Sequence, residues 1–213
     1  MSCPKRSRHS LLKPWAASSS AVPCTRAYSP KKLNYFTRQI VFLRPGTFVI
    51  FDRVSSKNPR FKKTWLLQAM NVPTENPPYL VVTNGRGRLF IQTLLPGNPR
   101  VKLISGTDLY SYGGKTYPPE KDTGPAPQCR IEISPSQQTP VDYFLHVLTA
   151  TDANTTSVEK ATAQVQNKEV VVTLGETKIS FATADVGGTI EIDGASTKFT
   201  NKIVTEPTRP TKN

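Results

Sequence analysis

What most restricts this chain is its punctuation. From Leu33 onward, short runs of β-branched and aromatic residues are divided at close intervals by Gly, Pro and Asn, and no helical period emerges. Thr37–Leu43 and Thr47–Val54 flank Arg44-Pro45-Gly46, a tight reversal. Phe61–Met70 comes after a polar break that contains Pro59. Tyr79–Thr83 and Arg88–Leu95 flank Asn84-Gly85-Arg86-Gly87, a hairpin signal because Asn and Gly tolerate positive φ. Arg100–Ile104 precedes a Gly/Pro-rich loop at 113–127, after which Arg130–Ser134 and Val141–Thr149 resume the pattern. Ala163–Gln166, Val170–Leu174, Lys178–Thr183, Thr189–Asp193 and Lys198–Val204 complete it, with Gly175-Glu176 as a two-residue turn. The expected fold is all-β, an antiparallel sandwich of about a dozen short strands. Its bounds are 33–205, between a disordered basic leader at 1–32 and a flexible tail at 206–213.

Charge is distributed unevenly. The 213 residues carry a net +13, yet residues 1–50 hold nine Lys or Arg and no acid, which leaves 51–213 at only +4. Most of the excess therefore sits in the leader, which holds seven of those nine residues. A basic arm can attract phosphates or acidic glycans, or can simply be a solvated tail. Nucleic-acid binding is the weakest reading, because aromatics are not interleaved with the charge and no recognition motif is present. No run approaches the roughly 20 apolar residues of a helical membrane span, so a soluble chain is expected.

The leader opens with Lys5, Arg6 and Arg8, but Lys13, Pro14 and a serine run break the stretch after them. No clean secretory h-region forms. Its composition resembles a transit peptide, and equally a start site placed inside a longer gene. Cys3, Cys24 and Cys129 show no C-x-x-C or Cys/His ligand spacing, and Cys129 at a strand start reads as a small buried hydrophobe. Gly113-Gly114-Lys115-Thr116 lacks the first glycine of a phosphate loop.

Several segments, in order and spacing, resemble one family. They are Phe48–Val54, Phe61–Gln68, Asn84–Phe90, Thr93–Pro96, Cys129–Pro135 and Phe144–Leu148. Together they look like the β-sandwich half of heparinase II/III-like proteins, over about residues 34 to 195. The resemblance implies a two-part architecture, an N-terminal α-helical toroid followed by antiparallel sheets, that cleaves uronate-containing polysaccharides by β-elimination. A proton α to a carboxylate is barely acidic, so the carboxylate must be neutralised before a Tyr or His base can remove it. In the family those groups come largely from the toroid and the face where the halves meet. The 32-residue leader is too short for a toroid, so this chain is expected to be a truncated lyase, inactive alone. The resemblance also suggests a periplasmic or secreted location.

Some family members hold a structural divalent metal (Zn or Ca) in the sandwich with an Asp and histidines. Asp52 stands where the family's Asp-Arg-Val motif lies and is the metal candidate carried over. Gln68 stands where relatives show His, and an amide is a poor zinc ligand. Alternation puts Gln68 with Leu66 and Met70, so its amide is expected to find an internal partner. The other reading of Asp52 is an ion pair or turn cap near Arg53 or Lys63. His146, between Phe144 and Leu148 on one strand face, reads as a packed core residue. Trp65 either stacks on a sugar ring or packs with Leu67 and Ala69. Arg86 and Arg88 are the substrate-binding candidates, forming with Arg60, Lys62 and Lys63 either a cationic surface for an acidic polysaccharide or ordinary edge-strand charge. A non-catalytic carbohydrate-binding module is the alternative to the truncated lyase.

Overall fold

A computed structural model of the chain describes residues 15–18, 31–121 and 124–199. The protein is built from antiparallel strands in three layers. The central sheet has seven strands in the order β1 (Trp15–Ser18), β2 (Leu33–Leu43), β3 (Thr47–Ser56), β12 (Val141–Asp152), β7 (Gly87–Leu95), β6 (Tyr79–Asn84) and β5 (Thr74–Asn76). On one side lies a three-stranded sheet of β4 (Trp65–Ala69), β11 (Cys129–Pro135) and β8 (Pro99–Ser105). On the other lies a five-stranded meander, β13 (Thr162–Gln166), β14 (Glu169–Leu174), β15 (Thr177–Ala182), β16 (Gly188–Ile192) and β17 (Ala195–Phe199). A small hairpin, β9 (Ser111–Tyr112) with β10 (Lys115–Thr116), comes after a 3-10 turn at Gly106–Asp108.

The expected strands are found, with ends moved by a few residues. The leader and the tail lie outside the described residues apart from Lys31, Lys32 and β1, which pairs with β2 from Trp15↔Leu43 to Ser18↔Ile40. Nothing in the periodicity of that segment announces a strand. The strand expected over Lys198–Val204 is described as far as Phe199.

Two cores, rather than one, hold the layers. β12 returns from far along the chain to lie between β3 and β7 at the centre of the sheet, where the meander covers one of its faces and the three-stranded sheet the other. Phe144 to Leu148 are consecutively buried as a result. Leu145 and Val147 join Val49 and Phe51 against Val170, Val172, Ile179 and Phe181 of the meander. Phe144 and Leu148 join Val54 and Ile91 against Trp65, Ile131 and Ile133 of the three-stranded sheet. Burial of these side chains at about 25 cal/mol per Å² of apolar area is the main favourable term in the fold. Gly188 is needed where β15 and β16 meet, since a Cβ there would stand 1.8 Å from the Ser180 carbonyl oxygen and 2.7 Å from the Phe199 ring. Among the described residues, no helix is long and apolar enough to cross a membrane.

Candidate functional site

The hairpin turn at Arg44-Pro45-Gly46 sets Leu43 opposite Thr47, and counting back five residues on each strand sets Arg38 opposite Asp52. The Arg38 guanidinium grips both carboxylate oxygens, with Nε to Oδ1 at 2.7 Å and Nη2 to Oδ2 at 2.6 Å. Asp52 is 2 % exposed, so this bidentate pair is what permits a carboxylate here. Burial pushes the Asp52 carboxyl up from its ordinary value, and Arg38 opposes that shift by hydrogen bonding and by its charge. The partner is thus Arg38 and neither Arg53 nor Lys63. Arg53 points to the opposite face, donating from Nε to Thr37 Oγ1 at 3.0 Å and from Nη1 to the Thr183 carbonyl at 2.6 Å. Lys63 pairs with Asp142 at 2.5 Å.

Next along the same face stands His146, fully buried. A register shift between β12 and β7 sets it opposite Thr93, whose Oγ1 lies 3.1 Å from Nδ1. Trp65 covers the imidazole, with ring centroids 3.9 Å apart and planes 29° apart. Nε2 has no hydrogen-bond partner among the described residues. Burial lowers the pKa of His146 to about 3, assisted by the positive charge of Arg38. An imidazole sealed in this way cannot meet a substrate proton, and it is the packed core residue its sequence position suggests. Trp65, 4 % exposed, takes the core role of its two readings.

Gln68 is not brought to Asp52. It is exposed, pairing in register with Arg130 on the outer face of the three-stranded sheet. The expected internal partner for its amide is therefore corrected. Both faces of β4 carry apolar residues, and the larger Trp65 goes inward and sends Leu66 and Gln68 out. Asp52 has both oxygens engaged by a guanidinium, and no His, Cys, Asp or Glu cluster of three or more gathers among the described residues. These residues do not fit a divalent ion.

The cationic candidates divide between two ends of the molecule. Arg86 is exposed at the β6–β7 turn, near Asp152 at one end of β12. Arg88 is engaged with the Thr155 carbonyl and, at 3.3 Å, with Thr83 Oγ1. Lys62 and Lys63 lie by Glu132 and Asp142, at the other end of β12. Nine residues of extended chain separate the two groups, roughly 30 Å, so they make no single surface.

The Lys63 end also carries a feature that sequence reasoning missed. Phe61, Lys62, Lys63, Arg100, the 134–138 segment and Asp142 line a cleft of about 290 Å³. It gathers residues from three separate stretches of chain, which no local motif announces. The one local sign is the polar run Ser136-Gln137-Gln138 just after a buried strand.

Comparison of the sequence with known protein families and with curated proteins finds no match. Among solved structures, the chain is similar to the heparan sulfate lyase of Pedobacter heparinus, with 14 % identity and a TM-score of 0.44 over 80 % of this chain and 24 % of that one. A mutant of that lyase gives 13 % identity and a TM-score of 0.47 over 88 % of this chain and 26 % of that one. A heparinase III gives 14 % identity and a TM-score of 0.47 over 80 % of this chain and 24 % of that one. The chain spans about a quarter of the length of each of these structures.

Proposed function

We propose that this chain is the β-sheet framework of a heparinase II/III-like polysaccharide lyase, a part that does not cleave by itself. The observation that supports this reading most is where the family-like segments fall. Phe48–Val54, Phe61–Gln68, Asn84–Phe90 with Thr93–Pro96, Cys129–Pro135 and Phe144–Leu148 become β3, the approach and start of β4, β7, β11 and β12. These strands are adjacent in two facing layers and share one core. A set of motifs that specifies a packed interior is what a framework preserves.

The chemistry of β-elimination supports the reading as far as the histidine is concerned. It requires a base within hydrogen-bond reach of the α-proton and a group that neutralises the uronate carboxylate. Here the imidazole of His146 is sealed under Trp65, and the Asp52 carboxylate is locked to Arg38. On this reading the base and the neutralising groups come from a helical toroid joined to the sandwich, and the sandwich supplies one wall for an acidic polysaccharide.

Ultraviolet absorbance of unsaturated product, followed on a panel of uronic-acid polysaccharides, tests the proposal with this chain alone and joined to whatever is encoded upstream. Silence alone and activity in the joined form is the expected outcome. Turnover by the isolated chain would overturn the framework reading. Silence in both forms would favour a non-catalytic carbohydrate-binding module, the second reading, for which the Phe61–Arg100 cleft is the supporting observation.

A further inference from the structure

We infer that the cleft where β4 and β8 begin and β11 ends is a subsite for one anionic sugar unit of a glycan. Phe61 is 37 % exposed, and its backbone N–H donates to the Asn58 carbonyl at 3.1 Å, which fixes the turn that carries the ring. A phenyl ring lining a cleft offers a flat apolar face to the C–H groups of a pyranose. Arg100 is exposed and has no ion-pair partner among the described residues, so its planar fork is available to a carboxylate or sulfate. Lys62 is half-exposed and reaches Glu132 only at 3.4 Å. Gln137 and Gln138 add amides that can both donate to and accept from sugar hydroxyls.

The charge of the cleft favours an anion. Lys63 and Asp142 cancel each other in a buried pair, and Lys63 also donates to the Thr139 carbonyl, which holds the 134–142 connection against β4. That leaves Arg100 and Lys62 facing the opening. A volume of about 290 Å³ is close to the roughly 300 Å³ lower limit of ligand sites, enough for about one or two sugar rings. The trough on the outer face of the meander is larger, about 550 Å³, but it sets Lys168 and Lys198 beside Glu169 and has no aromatic wall. It lacks the pairing of ring and free cation that selects an acidic sugar.

This assignment rests on the proposed function for the acidic polysaccharide, and it places that polymer at an end of β12 remote from Arg86 and Arg88. Calorimetry with the full chain tests it, using hexasaccharides of heparan sulfate and of alginate, and a neutral cello-hexaose. Arg100→Ala and Phe61→Ala should each weaken binding of an acidic hexasaccharide about tenfold, the worth of one charge-assisted contact or one stacked ring. Lys198→Ala should leave it unchanged, neutral cello-hexaose should bind far more weakly, and raised salt should weaken the acidic ligand. Melting curves that match the wild type confirm that the variants are folded. Acidic binding that survives both substitutions would overturn the subsite and leave the framework reading standing. Binding lost in the variants, with no cleavage by the joined form, would uphold the subsite and overturn the lyase reading. A wild-type chain that takes up neither acidic hexasaccharide would overturn the subsite outright.

Discussion

On the meander side of the central sheet, the buried polar side chains reach across the layer boundary, whereas on the opposite side they pair within the sheet. Gln92 both donates to the Ala161 carbonyl and accepts from the Ala161 N–H, each at 2.9 Å. Gln39 donates to the Gly187 carbonyl at 3.3 Å, and Arg53 to the Thr183 carbonyl. The meander is therefore pinned by its backbone where it begins and again near its β15–β16 turn. Across the sheet, Asp52 takes Arg38 and His146 takes Thr93, both partners within the same sheet. The three-stranded layer rests on these groups chiefly through the Trp65 ring and its aliphatic neighbours, with Lys63 to Asp142 as a clamp at one end. Direct backbone bonds fix register and orientation, while ring and aliphatic contacts supply energy with less direction. The two outer layers should then fail in different ways.

The largest effect is expected at Trp65. Replacing it with Ala removes the cover of His146 and opens a void between layers, at about 3–5 kcal/mol. Amide exchange should rise in β4, β8 and β11 and stay near wild type in the meander. Equal acceleration in both layers would break the comparison, because it would mean that they unfold as one unit. The same substitution should return the His146 pKa toward its ordinary value, visible in the titration of its ring protons, as water replaces the indole.

The next effect is set by pH. Burial holds His146 neutral down to about pH 3, whereas the unfolded residue takes up its proton near 6.5. Between those values the unfolded state binds the additional proton, so stability falls as pH falls, by about 1.4 kcal/mol per unit and roughly 2.7 kcal/mol at pH 4.5. Above about 6.5 the contribution is flat. Asp52 acts in the opposite sense, since a carboxyl raised by burial is relieved when it is protonated. Denaturant midpoints measured from pH 7 to 4.5 for wild type and His146→Gln separate the two. The wild-type slope should flatten in the variant, and an unchanged slope would show that His146 does not hold its proton balance in this way.

How much of this was open to reading from sequence depends on how local each cause is. Val170, Val172, Ile179 and Phe181 alternate cleanly because the meander strands have one covered face, and the Gly175 turn fixes their pairing. Gly175 has φ +55, the left-handed conformation expected of it. The Arg38–Asp52 pair was also within reach, since the turn at Arg44-Pro45-Gly46 determines which residues stand opposite each other. The two-core arrangement was not. It arises from outer layers packed on both faces of a sheet whose central strand, β12, pairs across about a hundred residues, and no local pattern encodes either. His146 was recognisable as a packed residue, but Trp65 and Thr93, which seal it, come from two other strands. The reading of β4 was split, with Trp65 correctly placed in the core and Gln68 wrongly given an internal partner. Leu66 and Gln68 on one face and Trp65 and Ala69 on the other gave an ambiguous alternation, decided by the area of the indole.

The smallest of the three effects sharpens the comparison from the other side. Gln92→Leu retains the volume and apolar stem of the side chain and deletes both bonds to Ala161. It leaves a buried N–H and a buried carbonyl without partners, at about 2 kcal/mol for a site that can partly rehydrate. Ala161 precedes β13 directly, so the loss acts where the chain enters the meander. Amide exchange should accelerate in β13 and β14 first, with β4, β8 and β11 unchanged, the reverse of the Trp65→Ala pattern. Gln92→Glu distinguishes the two bonds, because a carboxylate can still accept from the Ala161 N–H but cannot donate to its carbonyl. If Gln92→Leu instead accelerates exchange in the three-stranded layer, the pins are not local to the meander, and the central sheet transmits strain between its two faces.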